Sequence, residues 1–582
     1  MNFKEPYSKD DYLTFFQDKF LPDDFSIDEE KISLDFKTNH INHVTLLGKV
    51  SSLDLSVYEV SHTSENDPRV SLSKDIFKVM RDYSVRNALI LFTSENSENY
   101  RLSLATINFS IDDKKVKKEY SNPRRYSFFL GPESKTHTPE EFLIKKGRVT
   151  DSADLLSRFS SEVVTNAFFK EYKYIFSELK NSLYKQKLAD LKTCHEFALQ
   201  LFNRIMFIYF VQKKGWLGEN KNFVELFWDE YLKNKKKNKF YTDWLSVVFF
   251  SAFNNKVPRR NYFSKEVNEI LMLSPYLNGG LFKENDLDKI EFDLNDKLFK
   301  DLFDFFGKYN FTINESSAVD IDLEVDPKLI GDVYESLVNI SDVDDEQSSK
   351  GIFYTDRNEI DLMCKMSLIK LFSNYLDNEE LWIGYFFGNE EEKNEASNEI
   401  VKNNLWKDIL TKIENTTILD PACGSGSFLV YMLNILSDFY KEGSNYLKMK
   451  ISDYDIKKKI ISKCIYGVDV KKWAVHIAEL RLWLQLIVDA DLDVSERREA
   501  PLLPNLDLNL RCGDSLVQEV AGINLSLKNL DKKKFKKKLE DLKSEKYKYI
   551  TGAEDRKYKN EKSIKKEEIK LFLSLYDDQI EK

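Results

Sequence analysis

The sequence predicts an α/β protein in three successive parts: a small α/β domain over 1–150, a helical connector over 151–345 and a sheet domain over 346–582. Three observations predict it. Strand-like runs recur near the N-terminus, helical periodicity dominates the middle, and β-branched runs alternate with amphipathic helices after 350. A chain of 582 residues has room for several cores, and 32% charged with 13% aromatic residues marks a globular rather than disordered polymer. No apolar run approaches the ~20 residues of a membrane helix. The opening Met1-Asn-Phe-Lys-Glu-Pro6 has no signal-peptide core, so a cytoplasmic protein without membrane attachment is expected. Five scattered cysteines without a Cys-x-x-Cys pair fit a reducing compartment and no zinc site. The six histidines are equally dispersed, and no metal is expected. A net charge of −10 lends no bulk support to nucleic-acid binding and leaves local patches open. Lys235-Lys-Lys237 and Lys532-Lys-Lys-Phe-Lys-Lys-Lys538 read first as solvated helix faces.

Each part has its own signals. In the first, Val57–Val60, Ala88–Phe92 and Tyr126–Leu130 are strand-like. In the second, Leu201–Val211 is apolar nearly all round, which predicts a buried helix ended by Gly215 and Gly218. Tyr276-Leu-Asn-Gly-Gly280 reads as a tight turn and the acidic Ser341–Glu346 as a boundary loop. In the third, Thr416–Asp420, Cys464–Asp469 and Leu508–Cys512 are strands between helices, which argues for a parallel sheet covered on both faces. An inserted helix is expected within 441–460, and a Lys/Glu-rich helical segment with weak burial over 528–582.

The chemistry concentrates in Asp420-Pro-Ala-Cys-Gly-Ser-Gly-Ser-Phe428, where an apolar strand meets an apolar-periodic helix. Gly424 and Gly426 permit a sharp turn and close approach of a ligand, and the helix start offers free N–H groups. Asp420 at the strand end can accept from an ammonium group. A glycine turn alone is equally a ligand-free connection. Asp469 ends the next strand, where a carboxylate can take both hydroxyls of a ribose; it lies further downstream than the ~20 residues of a minimal dinucleotide unit. Asp514 follows a third strand, where it can accept from an adenine amino group. One such acid is ordinarily a turn residue; three at successive strand ends point to a binding site.

These segments resemble amino-DNA methyltransferases. Asp420–Leu429 is similar to their motif I, Ile465–Val470 with Ala474–Trp483 to motif II, and Gly513-Asp-Ser-Leu516 to motif III. Gly351-Ile-Phe-Tyr-Thr355 resembles the Tyr-Thr-Pro segment, with Asp356 in place of proline. Asn203–Trp216, Tyr276–Gly280 and Asp326–Glu335 are similar to the helical connector of type IIG restriction–modification enzymes, so the likeness spans about 195–516. It implies a Rossmann-like domain binding S-adenosyl-L-methionine. Asp420, Gly424 and Gly426 would hold the methionine end, Thr355 its carboxylate, Asp469 the ribose and Asp514 the adenine. It further implies direct methyl transfer to adenine N6 of double-stranded DNA, without covalent intermediate or metal. Methylation of an amine in RNA or protein, and a non-catalytic partner subunit with a vestigial pocket, are the alternatives.

The family's Asn/Asp-Pro-Pro-Tyr/Phe motif, which grips an extruded base, is not in this sequence, for no Pro-Pro dipeptide occurs among its 12 prolines. Asn122-Pro123 is followed by Arg124 and reads as a turn. The expectation is therefore a partial methyltransferase domain with no catalytic residue of its own, either completed by a second polypeptide that supplies the missing strand and the target-recognition domain, or a truncated product. In the N-terminal part, Asp54-Leu-Ser-Val-Tyr-Glu59 resembles the acidic strand of restriction nucleases, with Ser61 where a lysine would stand, His62 beside it and Lys74 as a substitute. A nuclease-like scaffold with surface acids is the preferred reading, and metal-dependent cleavage through Asp54 and Glu59 the alternative.

Overall fold

The computed structural model describes the chain except residues 35, 37, 39, 64–68, 113–116, 235, 278–279, 313–319, 332, 334–354, 356, 375–377, 389, 500, 507, 518, 521–522, 525–531, 552, 554 and 581–582. The acidic boundary loop, Gly351–Tyr354, Asp356 and Asn278–Gly279 of the 276–280 turn lie outside the described residues. No described helix is long and apolar enough to cross a membrane. The chain divides into two compact units, 1–178 with 297–333, and 179–296 with 334–582.

The first unit is built on a seven-stranded sheet in simple sequence order. Its strands are β1 (Phe25–Ile32), β2 (Ile41–Val50), β3 (Leu55–His62), β4 (Asn87–Ser94), β5 (Ser97–Asp112), β6 (Lys117–Leu130) and β7 (Asp320–Asp322). β3 and β4 run parallel, as do β6 and β7, and the other neighbours are antiparallel. Alternation along β3 divides its side chains between two cores. Leu55 and Val57 pack with helix α1 (Lys9–Phe15), whereas Tyr58 and Val60 pack under helix α2 (Arg69–Asp82). β7 closes the sheet from far downstream, and Arg101 of β5 grips it through Asp322 at 2.8 Å with both side chains buried. This late strand moves the boundary away from residue 150, because its hydrogen bonds belong to the N-terminal sheet.

The second unit joins most of the predicted connector to the predicted sheet domain. Helix α3 (Leu191–Lys213) is buried continuously from Phe197 to Gln212 apart from Gln200. Gly215 and Gly218 follow it with φ of 79° and 65°, as their place after a helix end predicts. Next come helix α4 (Arg357–Phe372) and a three-stranded parallel sheet of β8 (Ile418–Asp420), β9 (Ile465–Asp469) and β10 (Leu510–Cys512), in the order β10-β9-β8. Helix α5 (Ser427–Tyr446) follows β8, α6 (Asp453–Lys463) precedes β9, and α7 (Lys472–Asp489) follows it. The expected insertion is thus a lengthened α5 plus α6.

The C-terminal segment corrects the expectation of weak burial. Helices α8 (Lys532–Thr551) and α9 (Glu561–Ile580) set Leu542, Ile550, Ile564 and Leu571 against Leu508. The buried Glu568 takes Arg511 of β10 with both carboxylate oxygens at 2.9 Å, and also pairs with Lys546. Charged composition hid a narrow apolar stripe. Glu568→Gln is expected to cost about 1–2 kcal/mol, below the 3–5 of a fully buried pair because Arg511 is partly exposed. Urea denaturation measures it; an unchanged midpoint would show that the clamp contributes nothing.

Candidate functional site

The site is formed where three parallel strands end together. Asp420 pairs in register with Gly467, and Asp469 with Cys512. Each acid therefore stands two residues beyond the partner of the one before, with Asp514 two past Cys512. At ~4.8 Å between strands, the three positions span about 10 Å across the sheet while stepping two residues at a time along it.

The loops at this end are tied to one another. Asp469 accepts from Gly424 N–H through Oδ2 at 2.9 Å and from Lys471 N–H through Oδ1 at 2.8 Å. The Ser515 hydroxyl donates to the Pro421 carbonyl at 2.6 Å, and Cys423 N–H to the Val468 carbonyl at 2.9 Å. Asp420 accepts from Ala422 N–H, and Asp514, which is exposed, from Leu516 N–H. A carboxylate has about four lone-pair sites, so each acid keeps acceptor capacity for a ligand. Burial raises the pKa of Asp420, and the nearby Asp469 adds to this against the Ala422 hydrogen bond. A cationic partner would relieve that strain. The arrangement suits a ligand with a cationic end, a diol and an amino-bearing ring.

The glycine turn is shaped from behind. Gly424 and Gly426 have φ of 51° and 83°, and a Cβ on Gly426 would stand 2.8 Å from Ala478 Cβ on α7. Arg481, one turn further along α7 and 2% exposed, donates to the Ser425 carbonyl and the Ser427 hydroxyl, both at 3.0 Å. Gly467 was not singled out from the sequence, yet a Cβ there would meet Leu429, Leu510 and Cys423 within 3.0 Å. Arg481 was not singled out either; a charge within the apolar Ala478–Ile487 run was the available signal. Thr355 stands two residues before α4, whose Asp361 accepts from the hydroxyl of Tyr431 in the opening turns of α5. The structure thus brings Asp420, Gly424, Gly426, Asp469 and Asp514 to one sheet end, and holds the helix after Thr355 against α5.

The N-terminal acids are not brought together. Asp54 lies at a left-handed turn (φ 47°), with its side chain 71% exposed and 4.0 Å from Arg86. Glu59 is five residues on, about 16 Å along the strand. By strand alternation it faces the core side of Leu55 and Val57, and its charge, after burial, raises the pKa of Tyr7 there. Lys74 rises from α2 across the sheet, and His62 is buried on that same opposite face by the alternation that places Tyr58 and Val60 there. A two-acid metal site with a supporting lysine is therefore not formed by these residues. Among the described residues no group of three or more His, Cys, Asp or Glu could hold a metal.

A parallel sheet with a glycine turn and three strand-end acids makes this an α/β domain with a candidate ligand site at one end of its sheet. The family described as MmeI, DNA-methyltransferase domain, matches residues 391–575. Over that segment the chain is similar to a DNA-methyltransferase domain, and the relatives it resembles are restriction enzymes and methyltransferases. It is 30% identical over 390 residues to a candidate type II restriction enzyme and methyltransferase of Methanocaldococcus jannaschii, covering 62% of this chain and 32% of that protein. It is 31% identical over 116 residues to a type II restriction enzyme and methyltransferase of Escherichia coli, covering 18% of this chain and 12% of that one. The chain thus spans a third or less of the length of these relatives. A solved structure of the type IIL restriction–modification enzyme MmeI with DNA aligns at a TM-score of 0.38 and 18% identity, covering 60% of this chain and 40% of that one.

Proposed function

We propose that this chain binds S-adenosyl-L-methionine and serves methyl transfer to adenine N6 of double-stranded DNA in a restriction–modification or related phage-defence system. The observation that carries the reading is the row of Asp420, Asp469 and Asp514 at consecutive parallel strand ends beside the Gly424–Gly426 turn. Asp420 and the turn take the methionine end with Thr355, Asp469 takes the ribose hydroxyls, and Asp514 the adenine amine. The fit rests on the half-buried Asp420, whose pKa is raised by desolvation and which a cationic amine would satisfy. Bound there, the cofactor supplies an electrophilic methyl group on sulfonium. The chain's own residues orient it. Asp469 links the ribose position to the turn through Gly424 N–H, and Ser515 ties the Asp514 loop back to Pro421.

The Asn-Pro-Pro-Tyr element that would grip the target base is not among these 582 residues. We propose that a further polypeptide segment supplies it and pairs along β8. Supporting this, β8 pairs only with β9 among the described residues, and Leu419 is 61% exposed. An open apolar edge of this kind is a site for strand addition. The five free cysteines, four of them buried, support a cytoplasmic setting.

Calorimetric titration with S-adenosylhomocysteine tests the binding reading. Labelled methyl transfer to DNA, with an Asn-Pro-Pro-Tyr-bearing segment supplied, tests the reaction, with N6-methyladenine as the expected product. Absence of both binding and transfer sinks the proposal. Cofactor affinity is also expected to fall on acidification sooner than an ordinary carboxylate would dictate. The amine needs Asp420 charged, and its raised pKa brings protonation at a higher pH. Titrations across pH 4–7 check this, and Asp420→Asn should bind weakly with little pH dependence over that window.

A further inference from the structure

We infer that Arg481 is a positioning residue that selects for the amino-acid end of the cofactor by fixing the glycine turn from behind. The inference rests on the cofactor reading above. One nitrogen, Nη1, donates to three oxygens of the turn: the Ser425 carbonyl at 3.0 Å, the Ser427 hydroxyl at 3.0 Å and the Ser425 hydroxyl at 3.4 Å. These two residues flank Gly426, whose φ of 83° starts α5. Ala478 and Arg481 lie three apart and so share a helix face. Ala478 packs against Gly426 so closely that no side chain fits, while Arg481 holds the residues on either side. One face of α7 therefore sets both the position and the tilt of the turn.

This contact acts on the ligand through the backbone. The first-turn N–H groups of a helix have no partner within it, and their direction follows the residues that begin the helix. Gly426 N–H is already spent on the Cys423 carbonyl at 2.8 Å, and Val430 N–H on the Gly426 carbonyl at 2.9 Å. The N–H groups between them are the ones whose aim the Ser427 anchor decides. They face the methionine end in the proposed pose, whereas the ribose and adenine acids hang from β9 and β10. Loss of Arg481 should therefore weaken recognition of one end of the ligand more than the other.

Two probes separate the ends. S-adenosylhomocysteine carries the amino-acid tail, and 5′-methylthioadenosine lacks it while keeping the nucleoside. In calorimetric titration of the full chain, Arg481→Met is expected to weaken S-adenosylhomocysteine at least tenfold and methylthioadenosine less than threefold. Arg481→Lys, which keeps the charge and loses the planar fork, should fall between. Ser427→Ala removes one acceptor of the same contact and should show a smaller effect of the same selectivity; together with Arg481→Lys it carries the test if Arg481→Met fails to fold. Equal losses for both ligands, or none, overturn the inference and leave the cofactor reading standing. Failure of the wild-type chain to bind either ligand overturns that reading and the inference with it.

Discussion

Alanine at position 469 is expected to lower the affinity for S-adenosylhomocysteine by ~100-fold or more while the chain remains folded. Asp469 has two roles that fall together. One oxygen holds Gly424 N–H and the other Lys471 N–H, so the carboxylate ties the glycine turn to the end of β9. Its remaining lone pairs face the proposed ribose hydroxyls. Each hydrogen bond to a charged acceptor contributes roughly 1.5–3 kcal/mol, so two lost hydroxyl contacts amount to about 3 kcal/mol or more, which is the stated factor. The stability cost is smaller, because Asp469 is only partly buried and water can reach the freed N–H groups. Asp469→Asn keeps the shape but turns one oxygen into a donor facing a backbone N–H, so it should rescue little. Calorimetry for affinity and circular dichroism for fold decide the matter. A loss below threefold with the fold intact would remove Asp469 from the site.

The candidate site at the sheet end was legible because its determinants are local. A strand, two glycines and a helix sit within Thr416–Leu436, and each acid directly ends or follows its own strand. What was not legible is what depends on distant pairing. β7 is three residues long and carries no periodicity, yet it belongs to a sheet nearly two hundred residues upstream, through backbone pairing with β6 and the Arg101–Asp322 pair. The spacing of Asp54 and Glu59 left a pair of metal ligands open as the alternative reading, but a left-handed residue at 54 precedes β3 and leaves Asp54 on solvent. Arg481 looked like one polar position in an apolar helix, and only the packing of α7 on the turn gives it work. In α8 and α9 the lysines and glutamates outnumber the apolar stripe, and burial of Glu568 follows from Arg511 on another element.

Gly426→Ala should be a strongly damaging single-methyl change in the second unit, with a loss of roughly 2–5 kcal/mol. Two costs add. A φ of 83° is foreign to residues with a Cβ, at about 1–2 kcal/mol, and the new methyl would lie 2.8 Å from Ala478 Cβ and 3.1 Å from its Cα, an overpacking cost of about 1–3 kcal/mol. Neither atom is the far end of a flexible side chain, so α7 itself has to move, and Arg481 moves with it. Affinity for S-adenosylhomocysteine should therefore fall alongside stability. Gly147→Ala separates the terms, since Gly147 has φ 73° with nothing within 4 Å of its Cβ position and should pay only the conformational part. The double variant Gly426→Ala with Ala478→Gly removes the methyl–methyl clash but keeps the φ strain. It should recover part of the loss after the ~1 kcal/mol that glycine costs inside a helix. Urea midpoints followed by tryptophan fluorescence give all three numbers. If Gly426→Ala proves no worse than Gly147→Ala, α7 is not pressed against the turn as described, and the route from Arg481 to the cofactor loses its structural basis.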